Sequence, residues 1–413
     1  MAQNTNIIFI LADDLGYGDV SAYGSSEINT PNIDALASSG IKFNRAYANS
    51  TVCSPSRASI LFGDYPDRLG VPGVIRDMPN NSWGNLRDDL TSLPGLFKGQ
   101  GFATALVGKW HLGYESPDTP NERGFDFFHG FLGDMMDDYY TYERGGVNWM
   151  RKNDQIVEPT GHATDVFTGW ATNYIAEQAE SEQPFFLFLA YNAPHSPIQP
   201  PEEYLNIVEK KYPRLSLKRK KLIALIQHMD DGVGRIVKAL KTHDLYENTI
   251  IVFASDNGGA LQYGASNQPF NGGKGDMLEG GIRVPCTLTW PSTLQEGEYD
   301  QPMLLMDWYR LLPSLVDGQI KSTTELFDTL QKEEHERMIW IRREGHRFGG
   351  LAYYSVSDGR YKLVQNSPFE PFLLYDLQND GKETLPLEKP DIYKSLLKTL
   401  TKHIQTSGSI PWQ

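Results

Sequence analysis

The chain has 413 residues, of which 40% are hydrophobic and 22% are charged, and its formal net charge is −14. This composition is ordinary for a globular protein, and the length allows either two domains or one large α/β unit. The acidic balance argues against a nucleic-acid-binding protein, so no nucleic-acid partner is expected. Apolar runs such as 7–12 and 185–190 are too short to cross a bilayer, so no membrane partner is expected either.

The first predicted strand, residues 6–12, is a continuous apolar run of the kind found in strands that are buried on both faces. Asp13 and Asp14 follow it directly. Ligands of open α/β sheets bind beyond the carboxyl ends of the strands, and two adjacent carboxylates repel each other unless a cation holds them. We therefore expect a hard divalent cation here. The alternative is a solvated pair of acids that caps a turn.

The stretch Cys53–Arg57 is predicted to begin a helix, because proline suits the first helical positions. A helix N-terminus and the Arg57 guanidinium would then surround Cys53 with positive charge, which predicts an anion pocket that contains a reactive atom. The alternative is a buried and unreactive cysteine. Cys286 is the second of two cysteines; one disulfide could join them, but a disulfide framework or a zinc cluster is excluded.

Two further predicted strands end in basic residues. The stretch 101–113 carries Lys109 and His111 at its end, and both side chains lie on one face because strand side chains alternate. The core strand at 184–191 leads into a proline-containing turn that holds His195. A lone Lys or His at the end of a strand is usually solvated. Each of these residues is therefore a candidate site residue only because the others occur with it.

A last core strand, residues 249–255, repeats the pattern of the first strand and ends at Asp256 and Asn257, followed by two glycines. Two such strand ends in one sheet can supply a cation site made of oxygen ligands. Lys274 lies in the glycine-rich stretch 271–275, where the backbone can approach a ligand closely.

The remaining elements predict how the rest of the chain is organised. They are an acidic and aromatic loop at 126–146, a long helix at 220–243, a helix at 302–316, a charged helix near 325–337, a hairpin at 350–365, a strand at 372–377 and a final helix at 389–406.

Taken together, these motifs resemble the type I sulfatases, which depend on formylglycine. Cys53–Arg57 is similar to the family signature Cys-x-Pro-x-Arg, and the stretches around Lys109 and Lys274 are similar to further family motifs. Phe62 and Asp64 depart from the residues expected near the first signature, although its five core residues are intact. The chain looks most like the bacterial arylsulfatase and N-acetylgalactosamine-6-sulfatase group.

The resemblance implies a fold and a domain organisation. The expected fold is α/β and similar to alkaline phosphatase, with a large mixed, mostly parallel sheet flanked by helices. A smaller C-terminal subdomain would combine an antiparallel sheet with a helix. The catalytic domain would span residues 1–300 and the C-terminal subdomain residues 301–413.

The resemblance also implies a chemistry. Cys53 would be oxidised to Cα-formylglycine by a formylglycine-generating enzyme, and a hydroxyl of the hydrated aldehyde would attack sulfur while Asp256 takes its proton. His195 or Lys274 would protonate the leaving alcohol, and His111 would deprotonate the second hydroxyl, so that sulfate is expelled. The expected Ca²⁺ ligands are Asp13, Asp14, Asp256, Asn257 and the formylglycine at Cys53. The expected sulfate-contacting residues are Arg57, Lys109, His111, His195 and Lys274.

The function that the resemblance implies is hydrolysis of a sulfate ester on a sulfated carbohydrate, either an algal galactan such as carrageenan or a glycosaminoglycan. One alternative is a phosphoester or phosphonate hydrolase of the same superfamily. A second is a relative that binds sulfated glycans without catalysis, and a third is a hydrolase that uses the Cys53 thiol directly.

The cellular location remains open between two interpretations. No secretory signal sequence is visible in residues 1–6, which fits a cytoplasmic protein. Because enzymes that act on polysaccharides meet them outside the cytoplasm, we instead expect a periplasmic or secreted protein whose signal is absent from this sequence.

Overall fold

The computed structural model describes residues 5–77, 85–181, 183–332, 335–344 and 350–408. The strands in these residues are β1 (Asn6–Ala12), β2 (Ile41–Phe43), β3 (Ala46–Tyr47), β4 (Ala103–Lys109), β5 (Phe127–Phe131), β6 (Glu143–Arg144), β7 (Val147–Asn148), β8 (Met150–Lys152), β9 (Gln155–Ile156), β10 (Phe185–Ala190), β11 (Thr249–Ser255), β12 (Cys286–Thr289), β13 (Gly297–Tyr299), β14 (Met303–Leu304), β15 (Met338–Arg343), β16 (Ala352–Ser357), β17 (Tyr361–Gln365) and β18 (Leu373–Asp376).

The α-helices in the same ranges are α1 (Pro31–Ser39), α2 (Cys53–Phe62), α3 (Leu93–Gly99), α4 (Ala163–Ala179), α5 (Glu202–Lys211), α6 (Leu217–Thr242), α7 (Glu279–Ile282), α8 (Trp308–Val316), α9 (Thr323–Lys332) and α10 (Pro390–Ser407).

Ten strands form the main sheet, in the order β13-β2-β12-β11-β1-β10-β4-β5-β8-β9. The central strands from β11 to β5 are parallel, whereas β12 and β8 add to them in the antiparallel sense. Alternate residues of β1 pack into two separate cores, one that contains Phe9 and one that contains Ile10. Helices cover both faces of the sheet, which explains why its central strands are continuous apolar runs.

A second, antiparallel sheet of four strands follows in the order β15-β16-β17-β18. Its core is closed by α10, because Leu396 and Leu400 pack in the same cluster as Val356 and Leu363. These two sheets with their helices confirm the predicted α/β fold with a smaller antiparallel C-terminal sheet. The limits 1–300 and 301–413 stay a prediction.

Three predicted elements differ from the structure. The expected loop at 126–146 contains β5, which pairs with β4 and buries two of its phenylalanines. The helix expected at 302–316 begins only at Trp308, because β14 first pairs with β3 and a short 3-10 turn follows. The charged helix expected near 325–337 is α9, which ends at Lys332; residues 335–337 are not helical, and residues 333–334 lie outside the described ranges.

Candidate active site

The candidate residues lie where neighbouring strands of the main sheet end. Strands β4, β10, β1 and β11 are parallel neighbours, so their carboxyl ends meet at one edge of the sheet. Asp13 and Asp14 follow β1, Asp256 and Asn257 follow β11, and Lys109 is the last residue of β4. All five are buried, with relative exposures of at most 4%. The fold therefore brings together residues that are more than 200 positions apart in the chain.

Cys53 is the first residue of α2, as the proline-containing stretch predicted, and every residue of this helix is buried. Its Sγ lies 3.3 Å from Asp13 Oδ1, 3.9 Å from Asp14 Oδ1 and 3.6 Å from Lys274 Nζ. The possible disulfide does not form, because Cys286 is a free, buried cysteine on β12. The thiol thus points at the cluster of acids at the strand ends.

Three cationic side chains close around these acids. Each makes its shortest contact with a different carboxylate, and Arg57 also lies 3.7 Å from Asp13, so the charges are paired inside a buried site. The pairs are Lys109–Asp13 at 2.5 Å, Arg57–Asp256 at 2.9 Å and Lys274–Asp14 at 2.8 Å.

Two histidines complete the group. His195 Nε2 lies 3.6 Å from Asp14 Oδ2, and its Nδ1 is 2.7 Å from the carbonyl of Ser196. His111 Nε2 is 2.9 Å from the carbonyl of Ile75, whereas its buried Nδ1 has no hydrogen-bond partner among the described residues. His111 and Asp14 also adopt positive φ angles of 63° and 65°. Such backbone conformations are costly for residues other than glycine and cluster at functional sites.

The acids fit a hard divalent cation. One ligand atom from each of Asp13, Asp14, Cys53 and His195 lies within 4.8 Å of the others. The amide of Asn257 donates to Asp14 Oδ1 at 2.8 Å, while its buried Oδ1 has no hydrogen-bond partner in the described part of the chain. Several carboxylates and one unused amide oxygen are the ligand set that Ca²⁺ prefers.

A model of the family described as Sulfatase matches residues 5–317. The chain belongs to the sulfatase family. It is 35% identical to arylsulfatase J of Mus musculus over 339 residues, which are 78% of this chain and 54% of that protein. It is 34% identical to N-acetylgalactosamine-6-sulfatase of Sus scrofa over 87% of this chain and 71% of that protein. The chain thus spans about half the length of arylsulfatase J and 71% of the length of the N-acetylgalactosamine-6-sulfatase.

Solved structures of this family superpose closely on the chain. The crystal structure of Ps i-CgsB in complex with k-i-k-neocarrahexaose has a TM-score of 0.85 and 32% sequence identity, over 96% of this chain and 92% of that chain. The phosphonate monoester hydrolase of Agrobacterium radiobacter reaches a TM-score of 0.66 at 17% identity, which shows a shared fold only. The resemblance stated from the sequence is confirmed, and the enzyme class of the family is the predicted one, the sulfuric ester hydrolases.

Burial is the main influence on the protonation of the candidate site. It raises the pKa of the Cys53 thiol well above the usual value, and the neighbouring Asp13 adds to this effect. Burial and Asp13 also raise the pKa of Asp256 to about 7, although Arg57 opposes them. The pKa of His111 is well below its usual value because of burial and the charge of Lys109. Burial likewise lowers the pKa of His195.

The site opens into a cavity of about 580 Å³. Cys53, His111, His195 and Lys274 lie in its wall. Asp134 and Arg144 of this wall lie in the predicted acidic and aromatic loop at 126–146. Other polar residues of the wall were not predicted, because they come from segments with no catalytic motif and meet only through tertiary contacts. They are Arg76, Gln262, Asp276, Arg342, Glu344, Tyr353, Asn366 and Ser367.

No described helix has both the length and the apolar composition that a membrane span requires.

Proposed function

We propose that the protein hydrolyses a sulfate ester on a sulfated carbohydrate and releases inorganic sulfate. The observation that carries this proposal is the position of Cys53. It begins α2 within 3.6 Å of Lys274 Nζ and 3.3 Å of Asp13, in a chain of the sulfatase family. The substrate class follows from two relatives above 30% identity: N-acetylgalactosamine-6-sulfatase, and Ps i-CgsB, which was solved with a neocarrahexaose. Carrageenans and glycosaminoglycans are the two candidate polymers.

We propose further that Cys53 is converted to Cα-formylglycine. A thiol whose pKa is raised by burial stays protonated at neutral pH, and protonated thiols are poor nucleophiles. The structure therefore gives little support to a hydrolase that uses the thiol directly. The hydrated aldehyde would supply a hydroxyl nucleophile and a second hydroxyl through which sulfate can leave.

The acids at the strand ends would hold Ca²⁺, which supplies a Lewis acid for the sulfate oxygens. The proposed ligands among the side chains of the chain are Asp13, Asp14, Asp256 and Asn257, with the modified residue at position 53.

The proposed roles of the remaining residues follow from their charge. Arg57, Lys109 and Lys274 are fixed cations beside the nucleophile and offset negative charge on the transferring group. His111 and His195 are neutral at pH 7, because burial lowers the pKa of each, and a neutral imidazole can accept a proton.

Three proton transfers are assigned to groups near the nucleophile. Asp256, whose charge acts on Cys53, is the carboxylate that we assign to take the proton of the attacking hydroxyl. Lys274 then protonates the leaving alcohol, because Asp14 raises its pKa despite burial and it stays charged at pH 7. His195, the other candidate, is neutral at that pH and has no such proton to give. His111, whose Nδ1 is unpaired among the described residues, receives the proton of the second hydroxyl.

The test is sulfate release, measured by ion chromatography, from carrageenans, glycosaminoglycans and an aryl sulfate. The protein is co-produced with a formylglycine-generating enzyme, and mass spectrometry checks residue 53. We expect release from at least one glycan and none from the Cys53→Ser variant. Phosphate release from matched phosphate esters instead would favour the phosphoester or phosphonate hydrolase. Glycan binding without release by the converted protein would favour the non-catalytic alternative.

A polysaccharide substrate also supports the inference that the protein acts in the periplasm or outside the cell. Fractionation of the native organism with an antibody against this chain tests this location. Recovery from the cytoplasmic fraction alone would contradict it.

A further inference from the structure

Two arginines from distant parts of the chain meet at one buried carboxylate in the wall of the active-site cavity. Arg342 Nε lies 2.6 Å from Glu344 Oε1, and Arg76 Nη2 lies 3.4 Å from Glu344 Oε2. The Glu344 side chain is only 2% exposed, whereas those of Arg342 and Arg76 are 17% and 14% exposed. The buried acid therefore fixes two guanidinium groups whose outer parts reach the cavity.

Arg342 is held firmly and still has donors to offer. Its Nη1 donates to the carbonyl of Gly275 at 2.7 Å, its Nη2 lies 2.6 Å from Glu344 Oε1, and its guanidinium stands 5.0 Å from the ring centre of Tyr353. A guanidinium carries five N–H groups. Among the described residues, the contacts of Nε, Nη1 and Nη2 engage one N–H each, so each Nη keeps one N–H for a ligand.

Arg144, which lies in the same wall, is different. All three of its side-chain nitrogens contact carboxylates: Nε and Nη2 contact Asp134, and Nη1 contacts Asp137. The two carboxylates of Asp134 and Asp137 thus neutralise its charge, and these contacts account for Arg144 as a structural residue. We assign no ligand to Arg144.

The arginine pair lies close to the reacting centre. Gly275, which Arg342 contacts, directly follows Lys274, whose Nζ is 3.6 Å from Cys53 Sγ. Arg76 directly follows Ile75, whose carbonyl contacts the ring of His111. Neighbouring Cα atoms are only about 3.8 Å apart. The backbone that Arg342 contacts and the backbone that carries Arg76 are therefore each one residue from a residue that contacts Cys53 or His111.

We propose that Arg342 and Arg76 form a second anion subsite, which binds another sulfate group of the same saccharide whose ester is hydrolysed. This rests on the proposed function and narrows its substrate class to saccharides that carry at least two sulfate groups on one sugar or on neighbouring sugars. Guanidinium groups suit this task because their planar donors pair with two oxygens of one oxyanion. Glu344 pre-orients the pair, which lowers the entropy lost on binding.

The test measures binding to the Cys53→Ser variant by calorimetry, with two matched pairs of disaccharides. One pair is neocarrabiose with one or with two sulfates, and the other is an unsaturated chondroitin disaccharide with one or with two. In at least one pair we expect about 10-fold to 100-fold tighter binding of the disulfated member, as for hydrogen bonds to a charged group. Arg342→Gln in the same background reduces this ratio at least fivefold, whereas Arg342→Lys, which keeps the charge, reduces it less.

Two controls keep the result specific. Arg235→Gln removes an exposed arginine that pairs with Asp165 on the surface, and it leaves the ratio unchanged. Arg76→Gln reduces the ratio independently of the contact between Arg342 and Gly275, and thermal unfolding confirms that each variant is folded. Equal binding of both members in both pairs, no binding at all, or a ratio that survives both Arg342→Gln and Arg76→Gln overturns the proposal. Because this readout needs no turnover, failure of the wild-type protein to release sulfate counts against the proposed function alone.

Discussion

A buried ion-pair network joins the C-terminal sheet to the segment that carries Lys274. Lys362 on β17 places Nζ 3.0 Å from Glu279 Oε1 and 2.9 Å from Glu383 Oε1, and none of these three side chains is more than 1% exposed. Glu279 begins α7, and the next residue in the chain, Gly280, donates its N–H to the carbonyl of Asn271. The network therefore fixes the end of the loop in which Lys274 lies.

Lys362→Met should destabilise the protein strongly. Methionine keeps most of the apolar stem but removes the ammonium group. Among the described residues, Glu279 then keeps Arg283 and the Tyr47 hydroxyl, and Glu383 keeps the backbone N–H of Glu279. Removing one partner from a buried ion pair costs about 3–5 kcal/mol. Part of this cost is relieved if Glu383, whose pKa burial already raises to about 7, binds a proton. We therefore expect about 3 kcal/mol at pH 7 and less at pH 5.

Equilibrium urea unfolding at pH 5 and pH 7 measures this loss. The matched control is Lys389→Met, which removes an exposed lysine whose ammonium group contacts the hydroxyl and the ring of Tyr361 and should cost less than about 1 kcal/mol. A loss below about 1 kcal/mol for Lys362→Met, or a loss that is larger at pH 5 than at pH 7, would refute the reasoning.

Three other predictions address pH, metal and bond cleavage. Burial raises the pKa of Asp230 to about 6, so the folded protein keeps a proton that the unfolded chain releases. The stability difference between the wild type and Asp230→Asn, measured by urea unfolding, should therefore move against the wild type by about 2 kcal/mol between pH 4 and pH 6. Ca²⁺ at 100 times its Kd should stabilise the protein by about 2.7 kcal/mol in thermal unfolding, and equal stabilisation of Asn257→Leu would contradict the assigned ligand. In ¹⁸O-labelled water the label should enter sulfate, because we expect S–O cleavage; label in the alcohol product would exclude it.

The sequence was most informative at the ends of the central strands, where the same residues mark the end of a buried strand and supply the polar groups of the site. The apolar run before Asp13 and the similar run before Asp256 predicted two strands of one sheet whose ends could supply one site. The structure makes them parallel neighbours, so their carboxyl ends meet. Parallel central strands are buried on both faces, so they leave a strong signal in the sequence. Cys53 was placed correctly for a local reason, because its position at the start of α2 follows from the neighbouring proline.

Residues that meet through tertiary contacts could not be predicted. Arg76 and Arg342 share Glu344 across 266 positions of the chain, and neither lies in a recognisable motif. Strand β5 was missed for a related reason. His129 and Gly130 interrupt its apolar pattern, so it is its pairing with β4 and β8 that makes it a strand.

Charge balance explains how a chain with a net charge of −14 can bind an anion. The three cations of the site, Arg57, Lys109 and Lys274, face three carboxylates, so the protein side chains alone leave the site close to neutral. A neutral site attracts sulfate weakly, and the field of the acidic surface opposes it. A divalent cation on the same carboxylates would give the site a positive charge and allow Lys109 and Lys274 to turn towards sulfate. The acids that neutralise the site are thus the groups through which the proposed Ca²⁺ would make it attractive to an anion.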